Sequence, residues 1–233
     1  MALVIVNANE IVTVAGDGPK IKEQMSDIQV RTKEAVLVDG ETIVAIDSLE
    51  RLQENYSGLM AVAEQVDATG KIVLPGFVDC HTHLVHGGTR ENEFQMRLNG
   101  STYMDIMNAG GGIHATTKRT QEASFDELYD KAAFNLNRFL LHGVTTVEAK
   151  SGYGLNWETE EKQLLVTKKL QENHKVDVVS TFMGAHAVPK QYKGNEDTFV
   201  DIIIHDMLPK VAEQKLAEFN DIFCEHGVFT PEQ

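Results

Sequence analysis

In the stretch Leu74-Pro75-Gly76-Phe77-Val78-Asp79-Cys80-His81-Thr82-His83, an apolar segment ends in two histidines two positions apart. The apolar residues over 72–79 predict a buried strand. Because side chains alternate along a strand, both imidazoles would point to the same side. Two neutral imidazoles so placed can bind one divalent ion, typically Zn²⁺ or Fe²⁺, with further protein ligands from elsewhere. By itself such a pair is equally compatible with hydrogen-bonded histidines that hold no metal, but its place at a strand end favours ligands.

Towards the C-terminus the pattern is one of short apolar strands that alternate with amphipathic helices. Strands are predicted at 72–79, 144–149, 176–182 and 221–224. A capping box, Ser124-Phe125-Asp126-Glu127, predicts the start of one helix, and further helices are predicted at 158–173 and 197–220. This alternation is typical of parallel βα units. Histidine-bearing segments follow the strand ends, which is where βα barrels place their chemistry.

Towards the N-terminus the pattern changes to short β-rich runs at 3–6, 11–14, 35–38 and 42–47, with a hairpin signal at Asp39-Gly40. A short helix is predicted over 49–56. We therefore predict a small β-rich domain over 1–70 and a βα domain over 71–233. Only four βα units fit into the second domain, whereas a closed barrel needs eight strands and roughly 250 residues. The expectation is a barrel cut part-way through.

Composition excludes several classes of function. Lys and Arg number 21 against 35 Asp and Glu, and the net charge of −14 would repel nucleic acid and anionic lipid. The apolar runs fall short of the roughly 18 residues of a membrane span, and the N-terminal run lacks the basic flank of a signal peptide. With only Cys80 and Cys224, no disulfide framework is implied. We expect a cytoplasmic protein with a small-molecule substrate.

The stretch 74–83 resembles the first-strand motif of the amidohydrolase superfamily, whose members pair a small β-sandwich with a metal-bearing (β/α)₈ barrel. The resemblance implies an α/β fold: about the first four βα units of such a barrel, preceded by the N-terminal part of a composite sandwich. Five further stretches narrow it to the branch that opens an imidazolone ring: Gly87-Gly88-Thr89-Arg90-Glu91-Asn92-Glu93-Phe94, Ala109-Gly110-Gly111-Gly112-Ile113, Glu148-Ala149-Lys150-Ser151-Gly152-Tyr153-Gly154-Leu155, Thr181-Phe182-Met183-Gly184-Ala185-His186 and Phe223-Cys224-Glu225-His226-Gly227.

That resemblance implies hydrolytic ring opening of 4-imidazolone-5-propanoate to N-formimidoyl-L-glutamate, a step of histidine degradation. It implies one divalent metal ion, Zn²⁺ or Fe²⁺/Fe³⁺, with His81 and His83 as ligands, and a full-length protein that is a homo-oligomer, expected to be a dimer. The superfamily's third metal histidine, its adjacent glutamate, a further histidine and the last metal aspartate have no counterparts in these 233 residues. We therefore expect the chain alone to be inactive.

The resemblance also places four substrate-binding residues: Arg90, Tyr103, Tyr153 and His186. An arginine fork suits the propionate carboxylate, and a tyrosine hydroxyl can add a second hydrogen bond. Tyr153 lies between two glycines on a tight turn, where a core role would be unusual. His186 is expected to bond the substrate carbonyl.

Three of these assignments have a plainer alternative. Arg90 could form a surface ion pair with Glu91 or Glu93, and Tyr103 could pack on a helix face with Ile106 and Met107. For His186 the alternative is a histidine whose hydrogen bonds are satisfied within the core.

Several other polar residues are assigned no catalytic role. Lys150 is interpreted as a structural ion-pairing residue, because a metal-bridging lysine would lie on a later strand. Glu225 and His226 resemble an acid/base pair, but the family gives them no such role. The remaining histidines, interpreted as solvated or loop residues, are His86, His114, His142, His174 and His205.

Two other functions remain open from the sequence. One is a different cyclic amidohydrolase or a deaminase of the same superfamily, which a substrate panel would separate. The other is a non-catalytic fragment that associates through an open sheet edge, because an incomplete barrel exposes unpaired strand edges.

Overall fold

The computed structural model describes residues 1–102, 105–106, 109–225 and 227–233. The chain divides into two compact units, Met1–Pro75 and Gly76–Gln233. The first contains two small sheets, and the second contains one parallel sheet with helices.

The first unit contains a four-stranded sheet in the order β5-β4-β1-β6 and a three-stranded sheet in the order β3-β2-β7. The strands are β1 (Ala2–Val6), β2 (Glu10–Val12), β3 (Val30–Arg31), β4 (Ala35–Asp39), β5 (Thr42–Asp47), β6 (Glu64–Asp67) and β7 (Ile72–Val73). The predicted hairpin is confirmed: β4 pairs antiparallel with β5, and Gly40 turns between them with φ of 60°. Helices Leu49–Asn55 (α1) and Ser57–Met60 (α2) follow β5, and Leu52 joins Val4 and Leu37 in the core.

The second unit is organised by a sheet of four parallel strands in the order β11-β10-β9-β8. They are β8 (Phe77–Thr82), β9 (Val144–Lys150), β10 (Asp177–Ala185) and β11 (Phe219–Ile222). The predicted strand at 72–79 is divided, because Pro75 has no amide hydrogen to donate to a sheet. Its first residues form β7 and its last residues begin β8.

Helices connect these strands along the chain. They are α3 (Glu91–Leu98), α4 (Ile113–Glu122), α5 (Phe125–Leu141), α6 (Trp157–Asn173), α7 (Glu196–Ile202), a π-helical turn (Ile203–Met207) and α8 (Leu208–Gln214). The predicted capping box is confirmed, because the Ser124 hydroxyl accepts the Glu127 amide while the Glu127 carboxylate accepts the Ser124 amide. Across the parts of the chain that the structure covers, no helix has the length and apolar character needed to cross a membrane.

The predicted helix at 197–220 ends early. Its last residue is Gln214, and Lys215 takes a left-handed conformation with φ of 52°. The next strand therefore starts at Phe219, two residues before the predicted position.

The core of the second unit lies between the parallel sheet and helices α5 and α6. Leu136 and Leu170 of these helices are fully buried with Val147 of β9. A second cluster packs Phe199 of α7 against Phe182 of β10. This packing holds the strands in register, so that their carboxyl ends, and the loops that follow them, meet at one edge of the sheet.

Candidate metal and substrate site

Three of the predicted site residues meet beyond the carboxyl ends of neighbouring parallel strands. His83 follows β8, Tyr153 lies three residues after β9, and His186 follows β10 directly. The imidazoles of His83 and His186 stack with ring centroids 4.4 Å apart. The Tyr153 ring lies 4.8 Å from His83 and 5.1 Å from His186, centroid to centroid. Strand order thus brings together side chains that are far apart in sequence.

The His83 imidazole is held in one tautomer by the backbone. Its Nδ1 lies 2.8 Å from the Ser151 carbonyl oxygen. Because a carbonyl can only accept, Nδ1 carries the hydrogen and Nε2 keeps its lone pair. Burial, together with the repulsion that His186 would exert if both rings were protonated, lowers the pKa of His83 to about 4. A neutral imidazole with a free Nε2 and a backbone-bonded Nδ1 is the form that binds metal.

His81 lies on β8 with its ring centroid 6.3 Å from that of His83, at an interplanar angle of 72°. Neighbouring imidazoles of this kind fit a divalent ion such as zinc in the chemistry of their donor atoms. Within the residues that the structure describes, however, no group of three or more His, Cys, Asp or Glu side chains could hold an ion together. Among the described residues, His81 and His83 are therefore candidates for part of a coordination shell only.

Tyr153 is placed by a turn that only glycine can build. Gly152 has φ of 104°, and a side chain there would come within 2.8 Å of the His186 Cβ. Burial raises the pKa of the Tyr153 hydroxyl, and the positive charge of Arg90 opposes that shift. The hydroxyl is therefore a hydrogen-bond donor at neutral pH.

His186 is held in the same way as His83. Its Nδ1 donates to the Gly152 carbonyl oxygen at 2.8 Å, and burial lowers its pKa. Nε2 of the neutral ring is therefore an acceptor. An acceptor at this atom would bond an N–H group, whereas the sequence led us to expect a bond to a carbonyl.

Arg90 forms the ion pair that was its alternative interpretation. Its Nε and Nη2 donate to Oε2 of Glu93 at 2.9 and 2.5 Å. The other oxygen of Glu93 accepts the Gly112 amide at 2.8 Å, which ties the arginine to the glycine-rich segment before α4. Tyr103, the fourth predicted substrate residue, lies outside the described residues.

Lys150 forms the structural ion pairs expected from the sequence. Its Nζ lies 2.6 Å from Glu148 and 3.0 Å from Asp221, and its side chain is 7% exposed. The Thr181 hydroxyl also donates to Glu148. This network joins β9, β10 and β11.

Sequence reasoning missed two residues near the site. His86 was interpreted as a solvated or loop histidine, but it is half-buried, its Nδ1 donates to the His83 carbonyl, and its ring centroid lies 6.0 Å from that of Tyr153. Glu160 is fully buried beneath the Tyr153 turn. In the sequence, Glu160 could be recognised only as an acidic residue in the first turn of α6, the helix that follows Gly152 and Gly154.

Comparison with known proteins identifies the family. Residues 64–150 match the profile of the amidohydrolase family. Imidazolonepropionase from Geobacillus sp. (strain WCH70) is 58% identical over 233 residues, which is 99% of this chain and 55% of that protein. Imidazolonepropionase from Geobacillus kaustophilus (strain HTA426) is 53% identical, with the same coverage. The chain belongs to the amidohydrolase family. The resemblance predicted from the sequence is thereby confirmed, and the chain spans about half the length of the curated relatives that it matches.

Solved structures with much lower sequence identity share the fold of this chain. The atrazine chlorohydrolase TrzN from Arthrobacter aurescens TC1, in complex with zinc, superposes with a TM-score of 0.56 at 16% identity, over 99% of this chain and 48% of that chain. At this level the likeness concerns the fold alone. It supports an amidohydrolase-like α/β fold with partial sheets.

Proposed function

We propose that the full-length protein hydrolyses the ring of 4-imidazolone-5-propanoate to N-formimidoyl-L-glutamate in histidine degradation. The observation that carries the proposal is the convergence of His83, Tyr153 and His186 at one sheet edge, in a chain 58% identical to an imidazolonepropionase. A stacked pair of neutral imidazoles beside a tyrosine hydroxyl suits a small planar ring that has both hydrogen-bond donors and acceptors.

The finer architecture is part of the proposal. The parallel sheet would be the first half of a (β/α)₈ barrel over 71–233, and the small sheets would be the N-terminal part of a composite sandwich over 1–70. Four parallel strands with helices between them, and a fold shared with larger amidohydrolases, support this. In keeping with the sequence expectation, we propose a dimer for the full-length protein.

The proposed metal ligands are His81 and His83. His83 presents Nε2 as a neutral donor because Ser151 occupies its Nδ1, and His81 lies beside it. A divalent ion, Zn²⁺ or Fe²⁺/Fe³⁺, would supply Lewis-acid activation of water. Zinc in a solved protein of the same fold supports a divalent ion.

The proposed substrate contacts divide into two ends. Tyr153 would donate a hydrogen bond to the imidazolone ring, and Nε2 of His186 would accept one from a ring N–H. Arg90 would bind the propionate, which requires that carboxylate to share or replace Glu93 at the guanidinium. Tyr103 is proposed as a further contact from the sequence resemblance.

The deciding experiment measures imidazolonepropionate turnover and metal content of the full-length protein and its His81→Ala/His83→Ala double variant. We expect turnover and bound metal to be lost together in the double variant, because it lacks both imidazole ligands. His205→Ala, at an exposed helical position, is the matched control and should keep both. Unchanged metal stoichiometry in the double variant would refute the ligand assignment. Turnover of a guanine- or cytosine-type substrate, without imidazolonepropionate, would indicate a deaminase instead.

A further inference from the structure

One short loop contacts or carries the three rings of the candidate site, those of His83, Tyr153 and His186. The segment from Ser151 to Leu155 joins β9 to helix α6 and carries Tyr153 at its centre. The Ser151 and Gly152 carbonyls accept the Nδ1 hydrogens of His83 and His186. The shape of this loop therefore sets both imidazole tautomers and the position of the tyrosine.

The loop is wrapped around a buried carboxylate. Glu160 is 0% exposed, and its Oε2 accepts the Gly152 amide at 2.9 Å. Its Oε1 accepts the amides of Gly154 and Leu155 at 2.7 and 2.9 Å. The Ser151 hydroxyl also bonds this carboxylate and accepts the Met183 amide of β10. Successive amides that converge on one anion form a concave anion site, here filled by the protein itself.

The loop conformation needs such a partner. Gly152 has φ of 104°, and Leu155 has φ of 56°, which is a left-handed conformation that is unfavourable for a residue with a side chain. At Gly154 a side chain would come within 2.8 Å of the Glu160 Oε1. The bare backbone therefore allows the carboxylate to approach, and the carboxylate holds the backbone in this shape.

An ordinary core residue could not replace this carboxylate. Burial raises the pKa of Glu160, while the hydrogen bonds from Ser151 and the three amides act to lower it. Its place in the first turn of α6 adds the favourable field of the helix N-terminus. An apolar side chain at this position would leave three buried amides without acceptors.

We propose that Glu160 is a positioning residue for the ring-opening site: its carboxylate holds the 151–155 loop in the shape that orients His83 and His186 and presents Tyr153. It acts through the loop and makes no contact with the substrate. The inference rests on the proposed function for its link to catalysis, but its effect on the two imidazoles can be measured separately.

The test compares Glu160→Gln with Glu158→Gln in the full-length protein. Both substitutions remove one carboxylate charge from the first turn of α6, but Glu158 is exposed. In Glu160→Gln an NH₂ group must face an amide hydrogen, so the loop should shift. We expect kcat to fall about 10- to 100-fold with a smaller change in KM, because displaced reacting groups cost rate. In metal-free protein, ¹⁵N spectra should show loss of the single Nδ1–H tautomer at His83 and His186. Glu158→Gln should match the unsubstituted protein in every measurement.

Two further measurements keep the inference falsifiable if Glu160→Gln does not fold. Glu160→Asp keeps the charge on a shorter side chain and should retain intermediate kcat. In the unsubstituted protein, the amides of Gly152, Gly154 and Leu155 should be protected from hydrogen exchange.

Three results would overturn the role of Glu160: unprotected loop amides, a folded Glu160→Gln with unchanged kcat and tautomers, or a folded Glu160→Asp as impaired as Glu160→Gln. If the unsubstituted protein does not open imidazolonepropionate, the proposed function fails. The tautomer and exchange measurements would still decide whether Glu160 organises the loop.

Discussion

Arg90 already has a carboxylate partner in Glu93, so its proposed role is an exchange of partners. We predict that Arg90→Ala weakens interaction with imidazolonepropionate by about 2–5 kcal/mol, because the propionate loses its charged hydrogen-bonding partner. The measurement is kcat/KM on the substrate and on an analogue without the carboxylate, which should suffer much less. Arg97→Ala, at an exposed position of helix α3, which begins directly after Arg90, is the control. Equal losses of kcat/KM on the two substrates would contradict the proposal that Arg90 binds the propionate.

Lys150 is a residue whose role is structural. We predict that Lys150→Met lowers the free energy of unfolding by about 3 kcal/mol at neutral pH, because it leaves Glu148 and Asp221 close together without their cation. Lys118→Met, which breaks an exposed pair with Glu122, should cost less than about 1 kcal/mol. Urea unfolding of the full-length protein measures both, and similar costs for the two variants would refute the prediction.

The contribution of Lys150 should also depend on pH. Burial raises the pKa of Glu148 and of Asp221, but it is outweighed by the hydrogen bond and charge of Lys150 acting together with hydrogen bonds from Thr181 to Glu148 and from the Ile222 amide to Asp221. Both pKa values therefore lie below their ordinary values of 4.5 and 3.8. Carboxyls with lowered pKa stabilise the folded state above those values, and this stability is lost as the pH falls through the folded pKa. The stability difference between the unsubstituted protein and Lys150→Met should therefore shrink below about pH 4. A difference that stays constant from pH 7 to pH 3 would contradict this origin.

At the scale of elements, the capping box of α5 gives a direct test of how local sequence stabilises the second unit. Ser124→Ala removes the acceptor of the Glu127 amide and should cost about 1 kcal/mol of unfolding free energy. Ser124→Asp keeps an acceptor at this position and should restore most of that loss. Thermal or urea unfolding measures both variants, and equal losses in the two would show that the cap is not the cause.

At the scale of the molecule, metal retention should depend on residues outside this chain. Among the described residues, His81 and His83 are not joined by a third ligand, whereas catalytic zinc sites normally have three protein ligands. We predict that residues 1–233 alone retain Zn²⁺ or Fe²⁺ weakly and do not turn over imidazolonepropionate. Adding the remaining half of the protein, in cis or as a second chain, should restore metal and turnover together. Turnover by 1–233 near that of the full-length protein would direct attention to His186 and Glu225.

The sequence by itself determined the local features of this protein. The βα alternation, the capping box at Ser124 and the hairpin at Gly40 were predictable, because each depends on residues only a few positions apart. The same holds for the family, since its motifs are continuous stretches such as 74–83. The predicted ends of two elements were wrong because single residues interrupt them. Pro75 divides the predicted strand at 72–79, and Lys215 ends the predicted helix at 197–220.

Only the tertiary structure decided which side chains meet. Glu160 lies outside every motif, and its importance appears only when the 151–155 loop closes on its buried carboxylate. The acceptor character of His186 was likewise hidden, because it depends on the Gly152 carbonyl contributed by another strand's loop. The physical reason is that tautomers, buried hydrogen bonds and ion pairs depend on distances between segments far apart in sequence, which are set by the packing of the parallel sheet.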